Sequence, residues 1–493
     1  MNRDKQSRTL KSIIAKSRRC AGTPNWSLRV SAVFLLCAAT AAVSQAQTFT
    51  VLEKFDGFSD GDNPFTALVQ GTNGDLYGTT ENGGASEEGT LFKITPSGTL
   101  TTLLSFDNTD GRGPLGAMIV ATNGNLYGTT YFGGASDACE SGCGSIYTMT
   151  PGGTQTILHS FCSESNCTDG AQPYAALLQA TDGNFYGTTA LGGTNGGGIV
   201  FKMTPNGTVT TLYNFCSETN CADGETPYGT LIQATNGNFY GTTTAGGTNG
   251  DGTVFKISLT GTLATLHSFD VSDGVGPQGG LVQAANGSFY GTTTLGGTNG
   301  DGTVFEISSS GTFTSLHSFD GTDGLNLQAG LILGTDGNFY GTTAFGGSGC
   351  SGFTGCGTVF KITPGGTLTT LKILSDPSGA FPYAGLLQAT NGKFYGTTVN
   401  GGSGYGTVFS LSVGLGPFVE TIPTSAASGA AVKILGSNLT GATSVTFNGT
   451  PATFTVASPT LINATLPAGA TTGPVQVTTP SGTLVSNAAF RVR

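Results

Sequence analysis

The stretch GGLVQAANGSFYGTTTLGGTNGDGTVFEISSSGTFTSLHSFDGTDG, residues 279–324, decides how this chain folds. It divides into four short runs, LVQAA, SFYGTT, GTVFEIS and TFTSLHSF, rich in β-branched and aromatic residues and separated by turn residues. Runs of this composition between Gly, Asn and Ser clusters read as strands. Asn286-Gly287 joins the first two runs, and an Asn-Gly dipeptide in that place predicts a two-residue type I′ hairpin turn. Four strands joined by tight turns make an antiparallel meander, the form of a propeller blade.

The unit recurs along the chain. YGTT begins at Tyr77, Tyr127, Tyr186, Tyr240, Tyr290, Tyr340 and Tyr395, at spacings of 50, 59, 54, 50, 50 and 55 residues. An Asn-Gly or Asp-Gly pair precedes each copy, from Asn73-Gly74 to Asn391-Gly392. A period of this length marks either an open stack or a closed propeller. The ends of the array choose between them. Residues 48–55, TFTVLEKF, match a fourth strand with no first three before it. The seventh repeat stops after its third strand, GTVFSLS at 406–412. The orphan at one end completes the unit at the other, and closing a ring protects the sheet edges. The expectation is an all-β, seven-bladed β-propeller over residues 47–413, whose N-terminal strand closes the last blade.

The repeat G-L-V-Q-A-T-N-G-x-F-Y-G-T-T, with its G-G and T-V-F-K-I sequels, resembles the GloVer tandem repeat of bacterial exported "choice-of-anchor" proteins. The order of inner strand, Asn/Asp-Gly turn and aromatic second strand is also similar to NHL-type propellers. The GloVer resemblance implies location and fold rather than an activity. After a linker at 414–417, residues 418–493 read as short alternating strands with a hairpin signal at Asn448-Gly449. GSNLTGATSVTFNGTPA at 436–452 and LPAGATTGPVQV at 466–477 are similar to the IPT/TIG domain. That resemblance implies an immunoglobulin-like β-sandwich of the kind found in bacterial surface proteins.

Residues 1–46 read as a secretory signal peptide. Residues 1–29 carry eight Lys/Arg against the single acid Asp4; the apolar run Val30–Val43 follows, then Ser44-Gln45-Ala46 with small residues at −3 and −1. The run is shorter than the ~20 apolar residues of a membrane span. Cleavage near Ala46 places the protein outside the cytoplasm: secreted, at the cell surface or in the periplasm. Taking the eight Lys/Arg and one acid from totals of 19 and 29 leaves 11 and 28, a mature net charge of about −17. Such a chain repels nucleic acid and anionic lipid, so neither is expected as a partner. Trp26 leaves with the signal segment. The expected mature form is a monomer.

In a four-stranded blade the loops joining strands two to three and four to the next one share a face. That sorting puts 22 of the 28 mature acids, and all eight mature cysteines, on this first face. Loop variation on a rigid scaffold is where binding concentrates, so the expected function is an exported binding or structural module. Its expected ligand is an extracellular glycan, a cell-envelope component or a protein. The candidate ligand-binding residues are the repeated Asp60, Asp110, Asp169, Asp223, Asp273 and Asp323, with Arg112, the only arginine in the propeller. No cofactor is required by this reading. Ca²⁺ suits these hard oxygens, while an Asx-turn explains Asp before Gly without any metal.

Cysteines fall into four local pairs, Cys139/Cys143, Cys162/Cys167, Cys216/Cys221 and Cys350/Cys356. An even count in an exported chain favours disulfides. Zinc would need histidine or a second pair nearby, and the three histidines, His159, His267 and His317, all recur in the fourth strand. Tyr in YGTT reads as blade-to-blade packing ahead of sugar stacking. No catalytic residue is assigned. The alternative function is a secreted carbohydrate-active hydrolase or lyase, whose site would use unrepeated residues such as Arg112, Glu140, Glu164, Glu218 or Glu225.

Overall fold

In a computed structural model that describes residues 47–348 and 355–493, the stretch 279–324 becomes one antiparallel sheet. Its strands are Val282–Gln283, Phe289–Thr293, Thr303–Ile307 and Phe313–Ser318, paired in chain order. Seven such four-stranded sheets are the blades of a propeller. The seam is made by Thr48–Lys54, which pairs antiparallel with Thr407–Ser412 and completes the seventh blade, Thr48 opposite Ser412 and Lys54 opposite Thr407. The proposed signal segment, residues 1–46, lies outside the described residues.

The repeated residues are explained by packing between blades. Tyr of each YGTT is buried, and five of the seven lie against a Phe of the following blade, as in Tyr240–Phe289 and Tyr290–Phe339 with ring centroids 4.1 Å apart. Burying each such ring contributes on the order of 2–3 kcal/mol, with about 1 kcal/mol more from ring geometry. Gly291 leaves room for the third strand, because a Cβ there would lie 2.5 Å from Phe305 Cζ. Thr292 donates to the Ala329 carbonyl of the next blade, while Thr293 shares a hydrogen bond with Thr303. The YGTT signature is therefore a packing code.

One turn expectation is corrected. Among the propeller's Asn/Asp-Gly pairs, the Gly has positive φ (Gly287, +87°) but the preceding residue does not. Gly287 N–H donates to Ala284 O and Ala284 N–H to Ser288 O. This is the three-residue loop, a type I turn followed by a left-handed Gly, rather than the type I′ turn. The Asn286 side chain accepts from Ser288 N–H at 3.0 Å, an Asx interaction that holds Asn at negative φ. The two-residue turn does form in the C-terminal domain, where Asn448 and Gly449 both have positive φ (45° and 84°) and Phe447 pairs with Thr450.

The C-terminal domain is an immunoglobulin-like sandwich. Glu420–Ile422, Ala431–Leu435, Leu461–Thr465 and Thr453–Ser458 form one sheet; Thr450–Pro451, Ser444–Phe447, Val475–Thr479 and Gly482–Val485 form the other. Val432, Ile434, Val445, Phe447, Ile462 and Val475 meet between them. The domain seats on the turn face of the propeller. Thr460 donates to Thr72 O, Lys433 to Thr122 O, Arg491 to Ala234 O and Asn487 to Leu333 O. Arg493 reaches Thr181 O, and Thr390 meets Ser437. Those partners belong to six of the seven blades, so the sandwich covers the turn face, and among the described residues these hydrogen bonds do not reach the loop face.

Candidate functional site

Each repeated Asp fastens the loop of its own blade. Asp223 is fully buried and accepts from Tyr213 Oη (2.8 Å), Ser217 N–H (3.0 Å), Ser217 Oγ (2.9 Å) and Glu218 N–H (3.2 Å). Asp169 accepts from the N–H and Oγ of Ser163. Asp273 and Asp323 take the amides of Asp270 and Asp320 and also meet His267 Nε2 (2.8 Å) and His317 Nε2 (2.7 Å). His159 lies 3.2 Å from Asp169 but off the hydrogen-bond line, and burial pushes its pKa down. In two of the three LHSF copies the His and the Asp six residues later thus form one loop brace, a pairing that sequence reasoning missed.

Asp60 and Asp110 play the same part, accepting from Asp56 N–H and Asp107 N–H at 2.8 Å. Burial, helped by the neighbouring Asp56, pushes the Asp60 carboxyl up to about 7. Burial also raises Asp110. Arg112 pairs through Nε with Glu88 of the preceding blade's loop and lies over the Phe132 ring, 5.8 Å from its centroid. These seven residues are distributed around the propeller, blade by blade, and do not converge on a common centre.

Three of the four expected cysteine pairs are bonded as read from the sequence: Cys139–Cys143, Cys162–Cys167 and Cys216–Cys221. Of the fourth expected pair, Cys350–Cys356, Cys350 lies outside the described residues. Of that pair only Cys356 is described. It is a disulfide-bonded cysteine, fully buried in a small apolar cluster with Leu374 and Ala380. Its Sγ lies 3.6 Å from Asp376 Oδ1. Cys356 therefore packs into the base of the sixth blade's loop rather than standing at its surface.

What does converge is a set of aromatic side chains at the loop-face end of the central channel. Where the connection from the preceding blade turns into the inner strand, the seven blades place Phe65, Leu115, Tyr174, Tyr228, Gln278, Gln328 and Tyr383 around a cavity of about 170 Å³. Tyr174 stacks on Tyr228 at 4.4 Å and Phe65 on Tyr383 at 5.1 Å, with Phe65 and Tyr174 edge to face at 6.4 Å. Tyr131 meets Tyr174 edge-on at 6.0 Å. All five rings are half-buried. Burial, with Tyr228 beside it, pushes Tyr131 up to about 12, so its phenol stays neutral at physiological pH. Glu81 follows YGTT of the first blade, and its N–H donates to Asn63 O. Burial and then the Asp62 charge raise its carboxyl pKa, and its own charge is felt by Tyr174.

Sequence reasoning looked for what repeats, and these positions are where the repeat varies. The signal was present: Pro precedes Phe65, Leu115, Tyr174, Tyr228, Gln278 and Tyr383, and Leu follows three residues later in five of these six, with Met118 in the sixth. In that frame the column reads Phe, Leu, Tyr, Tyr, Gln, Gln, Tyr: four aromatic residues, two amides and one leucine.

Fold and site together define a seven-bladed propeller whose open face carries variable loops around an aromatic channel mouth. The chain belongs to the Gloeobacter/Verrucomicrobia repeat family, matched over residues 39–140 and 135–354. Residues 417–492 match the IPT/TIG domain. No curated protein matches the chain. Similar solved structures include a putative 6-phosphogluconolactonase from Bacteroides uniformis, 16% identical with TM-score 0.44, covering 66% of this chain and 90% of that one. Another from Bacteroides fragilis is 17% identical with TM-score 0.44, covering 74% and 92%. The periplasmic gluconolactonase of Pseudomonas aeruginosa is 16% identical with TM-score 0.42, covering 68% and 94%. Likenesses at this level carry no argument about activity.

Proposed function

We propose that this chain is an exported binding module that takes a neutral saccharide at the channel mouth. The observation that supports it is the continuous aromatic platform Tyr228–Tyr174–Phe65–Tyr383. Aromatic faces give flat apolar support to a sugar ring, and phenols and amides nearby orient its hydroxyls. Gln278 and Gln328 supply amides on the same rim. A cavity of about 170 Å³ suits a terminal or protruding sugar unit rather than a long chain segment. The mature charge of about −17 works against an anionic ligand. The sandwich domain covers the opposite face, which leaves the loop face for recognition.

A glycan array on the purified chain, with and without Ca²⁺, tests the reading. Neutral oligosaccharides are the expected hits, and Tyr174→Ala with Tyr228→Ala should abolish them while leaving the melting curve intact. A wild-type protein that captures no glycan, or mouth variants that bind as well as wild type, would reject it.

A second reading rests on Glu81. A carboxyl whose pKa is raised by burial, beside Asp62 and an aromatic platform, is the arrangement a glycosidic acid catalyst uses. It requires turnover: release of reducing ends from a bound oligosaccharide, lost in Glu81→Gln while binding persists.

A further inference from the structure

Among the described residues, the second blade alone brings two cysteine pairs together. Cys139 and Cys143 sit in the loop between its second and third strands, and Cys162 and Cys167 in the loop that leaves its fourth strand. The four sulfur atoms all lie within 4.8 Å of one another. Cys143 and Cys162 are buried, at 0% and 7% exposure, and all four share one apolar cluster with Phe161 and Ala171. The condition missing from the sequence, a second pair close at hand, is met here.

The spacing and size suit a tetrathiolate. Structural zinc takes thiolates from short Cys-x₂₋₄-Cys loops at about 2.3 Å, a tetrahedron with edges of roughly 3.8 Å. Cys139-x₃-Cys143 and Cys162-x₄-Cys167 have that form. Sulfurs already within 4.8 Å need shifts of about 1 Å to reach it, the scale of side-chain rotation rather than of loop refolding. Among the other described residues the feature is incomplete. Cys216 and Cys221 have Glu225 as third neighbour and no second cysteine pair.

We propose that, in its dithiol state, the second blade binds one Zn²⁺ through Cys139, Cys143, Cys162 and Cys167. Reduction of the two disulfides takes four electrons, two from each of two phosphine molecules; water supplies the four thiol protons, and its oxygen ends on the phosphine oxides. Zn²⁺ then displaces the four thiol protons and ties together two loops that the local disulfides leave unconnected. Thiolate ligation in turn withholds the sulfurs from oxidation, so metal and disulfides are alternative closures of one site.

The test uses the full mature chain, reduced with a phosphine, freed of reductant without oxygen and titrated with Co²⁺ as the zinc probe. One equivalent should bind with the intense visible bands and near-ultraviolet thiolate charge transfer of a tetrahedral tetrathiolate, and Zn²⁺ should bleach them. Replacing Cys162 and Cys167 by Ser should abolish the spectrum; replacing Cys216 and Cys221 should leave it unchanged. Should reduction unfold the chain, refolding is followed by circular dichroism with and without Zn²⁺, and metal-dependent recovery that needs the Cys162/Cys167 pair supports the site. Absence of stoichiometric Co²⁺ binding, a spectrum indifferent to either second-blade pair, or unfolding that Zn²⁺ does not reverse would overturn it.

Discussion

The side-chain oxygen of Gln70 accepts a hydrogen bond from the backbone N–H of Thr390 at 2.9 Å, across 320 positions of sequence. On the same seam Thr397 Oγ1 donates to Thr66 O at 3.1 Å. Neighbouring blades elsewhere make the same bonds locally, as Thr235 N–H does to Gln283. The ring closes by repeating an ordinary blade contact, not by a special clasp. Deleting Thr48–Lys54 should therefore strip amide protection from Thr407–Ser412 and promote edge-to-edge association. Hydrogen exchange reads the first effect and light scattering the second; undiminished protection at 407–412 would show that the seam lies elsewhere.

Replacing Asp223 by Ala should destabilise the chain by about 2–3 kcal/mol, because a buried carboxylate that satisfies several donors is lost. Denaturant unfolding measures it. Saccharide capture per folded molecule should stay the same, which separates the loop brace from the aromatic mouth.

Two carboxyls should make stability fall toward alkaline pH. Asp60 and Glu420 are both raised to about 7, from 3.8 and 4.5, in each case chiefly by burial. An acid with a raised folded pKa binds its proton more tightly in the native state. Its contribution is complete below the unfolded value and disappears as pH climbs through about 7. The melting temperature should drop between pH 6 and 8, and Asp60→Asn with Glu420→Gln should flatten that dependence. An unchanged slope in the double variant would count against both assignments.

Replacing Cys216 and Cys221 by Ser should cost at most about 2 kcal/mol, since a bond spanning five residues restricts the unfolded chain little. Calorimetry checks the size. Non-reducing peptide mapping should recover Cys139–Cys143, Cys162–Cys167 and Cys216–Cys221 as local pairs, and should identify Cys350 as the partner of Cys356. A peptide joining Cys356 to a cysteine of another blade would refute that last pairing.

Gly291→Ala should open the fifth blade's interface, because the added methyl meets Phe305 at 2.5 Å. A loss of about 1–3 kcal/mol is expected from overpacking. The same substitution at Gly300, whose Cβ would meet nothing within 4 Å, should cost less, its φ of +88° being the remaining penalty.

Blade number, the exchange of the terminal strand and the sandwich were all legible in residues 48–55, the seven YGTT copies and 436–477, because each depends on local strand and turn chemistry repeated in register. The loop-brace Asp residues were legible as positions but not as roles. Whether a carboxylate faces solvent or accepts four protein donors, as Asp223 does, depends on loop closure. Asn-Gly was read as type I′ because dipeptide preference is a backbone tendency. In each blade the Asn or Asp side chain instead accepts from the amide two residues on and selects the three-residue loop.

By itself, then, the sequence determined an all-β chain of seven four-stranded units with one strand borrowed across the ends, followed by a sandwich. Periodicity and turn residues act within a few positions and survive without knowledge of the rest. Tertiary structure alone decided which residues meet. It gathered Phe65, Tyr174, Tyr228 and Tyr383 from four blades into one mouth, set Cys139/Cys143 against Cys162/Cys167, and laid the sandwich over the turn face. Those contacts join residues tens to hundreds of positions apart, and only the curvature of the closed ring fixes the distances between them.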